Sequence, residues 1–191
     1  IEPETEAPVD DSLVQKLNTV LIVDDSAYEY YSFIRSTADR YASVVSITAD
    51  KLNGKARVFD MVVPTSTDIT LEDSVRKGIN TSDQKKAIDY IYSVISPNAY
   101  KVNTFDAIYD HRDEYVYFRT DHHWTTKGAY IAYQKYCEEK GLIPVLVNFD
   151  DAVKVQDFYG TYFNKSKNTS LTPDTLMYFD FPITATVNGE V

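Results

Sequence analysis

The sequence predicts an α/β fold on a mostly parallel sheet, with a small peripheral β segment at its C-terminal end. Three observations carry this expectation. Short apolar runs at residues 19–23, 57–63 and 100–105 alternate with stretches whose apolar residues recur at helical spacing, the order of βαβ units. At 191 residues the chain suits one domain with a real core, and it is neither repetitive nor low in complexity. Beyond residue 142 the helical periodicity fades and only short extended runs remain.

Composition narrows the partners. The formal charge is −10 and no Lys/Arg patch is present, which argues against nucleic acid and against an anionic membrane surface. No stretch is long and apolar enough to span a bilayer. One cysteine, Cys137, excludes an internal disulfide and a CxxC metal site, and it reads as a semi-buried helix position. No cofactor signature is present. The chain opens on Ile1 rather than Met, which points to a processed or trimmed start, so the lack of a signal peptide says little about location.

Residues 1–12 are acidic, carry Pro3 and Pro8, and read as a solvated linker; the domain then occupies 13–191. Such a tether commonly follows a signal or membrane anchor in exported proteins. Residues 19–23 make a strand that ends at Asp24-Asp25-Ser26, and the aromatic segment 27–33 favours a second strand. Ser26 admits two readings, a nucleophile turn leading into a helix or a polar hairpin turn, and the strand propensity beyond it favours the hairpin. Ser36 or Thr37 caps a helix carrying Tyr41, Ala42, Val45, Thr48, Ala49 and Leu52, closed by Asn53-Gly54. Residues 57–63 make a central strand stopped by Pro64. Residues 65–68 are then a polar loop at the sheet edge where α/β folds bind ligands.

Thr81-Ser82-Asp83 cap a helix that buries Ala87, Ile88, Ile91, Val94 and Ile95, and Ser96-Pro97-Asn98 stop it. Residues 100–105 are a third strand, and Asp106 begins a short helical piece. His111-Arg112-Asp113 matches a kinase triplet, but neither a glycine-rich loop nor Asp-Phe-Gly accompanies it, so it is set aside. Residues 115–118 are extended. Thr125 or Thr126 caps a helix over 127–140 with Ala129, Ala132, Tyr133, Tyr136 and Cys137 on one side, and Gly141 ends it. Residues 144–147, 177–179 and 183–187 read as short strands, 158–163 as an aromatic turn and 165–172 as a polar loop.

Chemistry concentrates in Thr120-Asp121-His122-His123-Trp124-Thr125, which holds two of the three histidines and the only tryptophan. Three readings compete. The histidines are structural, with Trp124 filling core and Asp121 capping a turn. Alternatively Asp121, His122 and His123 bind a metal with help from Asp110, His111 or Asp68, although neighbours on a strand point to opposite faces. In the third reading Asp121 orients His123 as a general base toward a serine or water, the i, i+2 spacing placing both on one side of an extended segment. Trp124 would then restrict water or stack on a sugar ring.

This hexapeptide, followed by Lys127-Gly128-Ala129-Tyr130, resembles the motif for which the bacterial DHHW proteins are named. Those proteins are similar to the alginate O-acetyltransferase group of the SGNH hydrolase superfamily. Val20 to Val23, Met61-Val62-Val63-Pro64-Thr65 and Phe158-Tyr159-Gly160-Thr161 also fit the pattern. The resemblance implies a three-layer SGNH-type fold and acyl transfer or ester hydrolysis on a cell-envelope or extracellular carbohydrate by an exported bacterial protein. Asp121 and His123 would be the Asp and His of a Ser-His-Asp triad, with His122 and Trp124 supporting the substrate and with no metal or cofactor. A non-catalytic carbohydrate-binding or envelope-assembly module of the same fold is the alternative. The family's serine follows the Asp-x-His pair in a turn after another strand. Here only Ser166 and Ser170 follow Trp124, both in a polar loop. The expected explanations are, in order, a nucleophile beyond Val191, a lost nucleophile, or substitution by Ser26.

Overall fold

The computed structural model of the chain describes residues 14–16 and 20–180. The linker expected over 1–12 and the strand expected over 183–187 lie outside the described residues. The chain is mixed α/β. It begins with three antiparallel strands, β1 (Val14–Lys16), β2 (Leu21–Val23) and β3 (Ser26–Tyr28), side by side in that order. Asp24, at φ 56°, and Asp25 connect β2 to β3, so the hairpin reading of this turn holds. Leu21 and Ile22 point to opposite faces, and both faces are covered. Ile22 packs with Ala27, Tyr162 and Leu171, while Leu21 packs with Tyr28, Leu71 and Val75.

Helix α1 (Arg35–Leu52) starts ahead of its predicted cap. Ile34 holds the N-cap position without a side-chain bond, and Ser36 and Thr37 lie inside the first turn. Its end is as expected, Asn53 followed by Gly54 at φ 77°. The buried side is Ala38, Ala42 and Ala49, whereas Tyr41 and Leu52, expected inward, are 41% and 36% exposed. Tyr41 instead donates its hydroxyl to Asp60.

Strand β4 (Val58–Asp60) pairs in parallel with β5 (Ala99–Lys101), and this is the one parallel pair among the described residues. A mostly parallel sheet is therefore not what these strands build. Val62 shows why β4 is short. Its N–H donates to the Tyr92 hydroxyl (3.0 Å) and its carbonyl accepts from Thr104 Oγ1 (3.1 Å), so side-chain hydroxyls occupy the groups a longer ladder would need.

Residues 66–68 of the polar loop expected over 65–68 instead belong to α2 (Ser66–Ile69), whose residues are buried. Gln84 and Glu29 hold two of them: Asp68 Oδ2 accepts the Gln84 N–H (2.6 Å) and Thr67 Oγ1 donates to the Glu29 carbonyl (2.7 Å). After α3 (Asp73–Lys77) comes α4 (Gln84–Val94), capped as predicted by Asp83, whose side chain accepts from the Lys86 N–H. Ala87, Ile88 and Ile95 are buried, but Val94 is exposed. The main core joins these helices to α5 (Phe105–Tyr109) and α6 (Thr126–Lys140) through Ala42, Ile88, Tyr92, Phe105, Ile108 and Ile131.

On α6 the buried side is Gly128, Ile131, Ala132 and Cys137; Ala129, Tyr133 and Tyr136, expected there, are only half-buried. Gly141, at φ 74°, ends the helix as predicted. Residues 144–147 are not a strand. The Val145 N–H donates to the Tyr133 hydroxyl (3.0 Å) and its carbonyl accepts from the Tyr130 hydroxyl (3.1 Å), which leaves Ile143, Val145 and Leu146 exposed. A C-terminal β pair is present: β6 (Val153–Phe158), where no strand was expected, pairs antiparallel with β7 (Asp174–Tyr178), which takes in Met177 and Tyr178 of the run expected at 177–179. Helix α7 (Thr161–Ser166) lies between them in place of the expected aromatic turn. Among the described residues no helix is long and apolar enough to cross a membrane.

Candidate functional site

Residues 115–126 form a loop closed at its base and continued directly into α6. Tyr117 and Trp124 pair as an antiparallel bridge, the Phe118 N–H donates to the His123 carbonyl (3.3 Å), and the Thr125 N–H donates to the Val116 carbonyl (2.9 Å). Thr125 closes the base a second time: its Oγ1 donates to the Tyr115 carbonyl (2.6 Å) and accepts the Gly128 N–H (3.3 Å), the cap from which α6 starts. A Cβ at Gly128 would lie 2.4 Å from the Val116 carbonyl oxygen, so only glycine lets helix and loop approach this closely. Trp124 is half-buried and packs against the main core.

The tip of the loop is held from the C-terminal β pair. Asp174, the first residue of β7, is 1% exposed. Its Oδ1 accepts from the Arg119 N–H (2.9 Å) and the Tyr115 hydroxyl, and its Oδ2 from the Thr120 N–H (2.8 Å) and Thr120 Oγ1 (2.5 Å). A carboxylate this dry persists because every direction around it offers a donor. Thr120 passes the constraint on. Its Oγ1 accepts the Gly160 N–H (2.9 Å), and its carbonyl accepts the N–H groups of Tyr162 (2.9 Å) and Phe163 (3.2 Å).

Asp121 projects from this mount. Its Oδ2 accepts the Thr161 N–H (2.7 Å), and its Oδ1 accepts the His123 N–H (3.0 Å) and bonds His123 Nδ1 (2.6 Å). Gly160 presses on it: a Cβ there would sit 2.2 Å from the Asp121 Cβ. Burial pushes the Asp121 carboxyl up, but the Thr161 and His123 N–H donors and the His123 ring outweigh it and hold the group below the usual carboxylate range. An ionised carboxylate only accepts, so a proton sits on His123 Nδ1, and in the neutral ring that leaves the lone pair on Nε2. The Asp121 side chain is 7% exposed and the His123 side chain 64%: a dry carboxylate orients a wet imidazole.

Residues 121–123 form a bend rather than the expected extended segment. The His122 and His123 rings consequently lie together, centroids 3.8 Å apart and planes tilted by 38°. His122 Nδ1 bonds Thr161 Oγ1 (2.7 Å) and stands 3.6 Å from Asp121 Oδ1. Of the groups considered as further metal ligands, His111 pairs with Glu114 (2.6 Å), Asp68 faces Gln84, and Asp110 is exposed after α5. Asp121, His122 and His123 are the residues brought together, with donor atoms within 4.8 Å of one another.

The serines are elsewhere. Ser26 Oγ donates to Asp25 Oδ1 (2.8 Å), Ser170 Oγ donates to Asn168 Oδ1 (2.8 Å), and Ser166 Oγ accepts the Asn168 N–H (3.3 Å). Among the described residues no hydroxyl bonds His123. Sequence reasoning missed Asp174 and its anchoring of Thr120, 54 residues away, and saw Gly160-Thr161 only as part of a pattern.

Comparison with known proteins bears on this arrangement. A family model described as DHHW protein matches residues 1–188. The crystal structure of a DHHW family protein from Eubacterium siraeum is 28% identical with a TM-score of 0.75, and the match covers 89% of this chain and 56% of that one. Bacillus cereus PatB1, solved with a sulfonyl adduct, is 14% identical at a TM-score of 0.62, over 86% of this chain and 56% of that chain. The O-acetyltransferase domain of Pseudomonas putida AlgJ is 16% identical at a TM-score of 0.51, over 86% and 62%. At these identities the last two share a fold with the chain. The chain spans little more than half the length of the first two structures. No curated protein matches it.

Proposed function

Because the chain belongs to the DHHW protein family, we propose that it serves acyl transfer or ester hydrolysis on a cell-envelope or extracellular carbohydrate, on a three-layer SGNH-type fold. One observation carries the reading: Asp121 Oδ1 holds His123 Nδ1 at 2.6 Å while the His123 side chain is 64% exposed. The fold likeness to an O-acetyltransferase domain supports the same class of chemistry. His123 Nε2 takes the proton of a serine hydroxyl as that oxygen attacks the acyl carbonyl, and Asp121 stabilises the imidazolium that forms. The proton then goes to the departing alkoxide, and the acyl group passes to a carbohydrate hydroxyl or to water. We assign the serine to residues other than those described, and the 56% coverage of the related DHHW structure leaves room for it. His122 and the open part of Trp124 border the substrate. The acidic, proline-bearing stretch over 1–12 supports placement outside the bacterial cytoplasm.

Hydrolysis of an acetyl ester reporter by the full product of the gene tests this. His123→Ala is expected to lower the rate about 10²–10⁴-fold. Unchanged hydrolysis in that variant excludes His123 as the base. Trp124, half-buried and so partly open beside the two histidines, favours one rival, a carbohydrate-binding module without catalysis. Glycan binding that survives His123→Ala and fails in Trp124→Ala identifies it.

A further inference from the structure

We infer that Asp121, His122 and His123 form a three-ligand site for a divalent transition ion of the zinc class, and that the bound ion silences the base. The second half rests on the reading of His123 given above; the first half does not.

Adjacent residues on a strand point apart, which is the geometric objection to two neighbouring histidines sharing an ion. The bend at 121–123 removes it by laying the two rings 3.8 Å apart. His123 Nδ1 bonds Asp121 Oδ1 at 2.6 Å, and His122 Nδ1, bonded to Thr161 Oγ1, lies 3.6 Å from the same oxygen. Zinc holds imidazole nitrogens and carboxylate oxygens at about 2.0–2.2 Å, so neighbouring donors in a tetrahedral set stand roughly 3.3 Å apart. Donors already within 4.8 Å of one another need shifts on the order of 1 Å to reach that geometry.

Two imidazoles and a carboxylate are the donor mixture zinc favours, and three protein ligands leave a fourth position for solvent. The carboxylate is preset by the Thr161 N–H and by Gly160 behind it, which supplies the outer support such ligands use. The His122 and His123 side chains are 42% and 64% exposed, so an ion reaches them without opening the fold.

Occupancy changes the tautomer. His123 Nδ1 must lose its proton to bind the ion, and that proton goes to water while Nε2 takes one from water. With Nδ1 on the ion, the neutral ring carries its proton on Nε2, and the lone pair that would take a hydroxyl proton is gone. His122 exchanges its bond to Thr161 Oγ1 for the metal.

Titration of the tag-free 191-residue chain with zinc sulfate against a chromophoric indicator decides the site. One ion per chain is expected, with affinity falling more than about 100-fold in His122→Ala and also in His123→Ala. His111→Ala, whose ring pairs with Glu114, is expected to keep it. Both site histidines are exposed, and far-UV circular dichroism checks that each variant is folded. Absence of a stoichiometric site, retention in either site variant, or loss in His111→Ala overturns the assignment. Hydrolysis of the acetyl ester reporter falling in step with zinc occupancy supports silencing, and hydrolysis unchanged at full occupancy overturns it. If the metal-free full-length protein has no esterase activity, the base reading fails, while the titration still decides the site.

Discussion

At the residue scale the site depends on close contact. Gly160 has φ −91°, a conformation open to any residue, so its identity is dictated by space and not by backbone torsion. A methyl group there would overlap the Asp121 Cβ, Oδ2 and Cγ atoms at 2.2–2.7 Å. Gly160→Ala should therefore displace the carboxylate, with a stability loss of about 1–3 kcal/mol in urea denaturation and reporter hydrolysis reduced to the level of Asp121→Asn. The opposite expectation, a small gain from restricting the unfolded chain, applies only where the added carbon is tolerated. The Asp121–His123 pairing was legible because it is local, two residues apart in one motif. Gly160 and Thr161 were not, since nothing in their own neighbourhood states that they face Asp121.

Among the elements, α6 shows a conflict between propensity and packing. Alanine is a better helix former than glycine by about 1 kcal/mol, so Gly128 looks like a weakness in the first turn. Its missing Cβ is what lets α6 rest on the Val116 backbone, with the Trp124 Cβ 3.1 Å from where that carbon would stand. Gly128→Ala is expected to destabilise by about 1–3 kcal/mol despite the gain in propensity, read from the denaturation midpoint. The ends of α4 and α6 were readable because Asp83, Thr125 and Gly141 are strong local signals. The start of α1 was not, because its N-cap residue is Ile34, which forms no capping bond. The length of β4 was hidden as well. Its ladder ends on the Tyr92 and Thr104 hydroxyls, from residues far along the chain.

For the whole molecule the apolar runs revealed which segments are extended but not how they pair, since pairing is set by distant partners. That is why an α/β chain was recognisable while the expected parallel sheet is, among the described residues, a single parallel pair. Acid lability is a property of this scale too. The Asp121 pKa lies below its value of about 3.9 in an unfolded chain, so its contribution to stability is complete above that pH and is lost as pH falls through the folded value. Asp68 works in the other direction, its carboxyl raised by burial. Urea denaturation between pH 6 and pH 2 should show a shallower acid-side loss of stability in Asp121→Asn than in the parent. Equal slopes would mean the carboxylate is not held by its donors. The anchoring of Thr120 by Gly160 and Asp174, 40 and 54 residues later, also bears on biosynthesis. A ribosome that has delivered both imidazoles but not yet β7 carries them on an untethered loop, so the order of translation makes the reactive geometry one of the last things the nascent chain acquires.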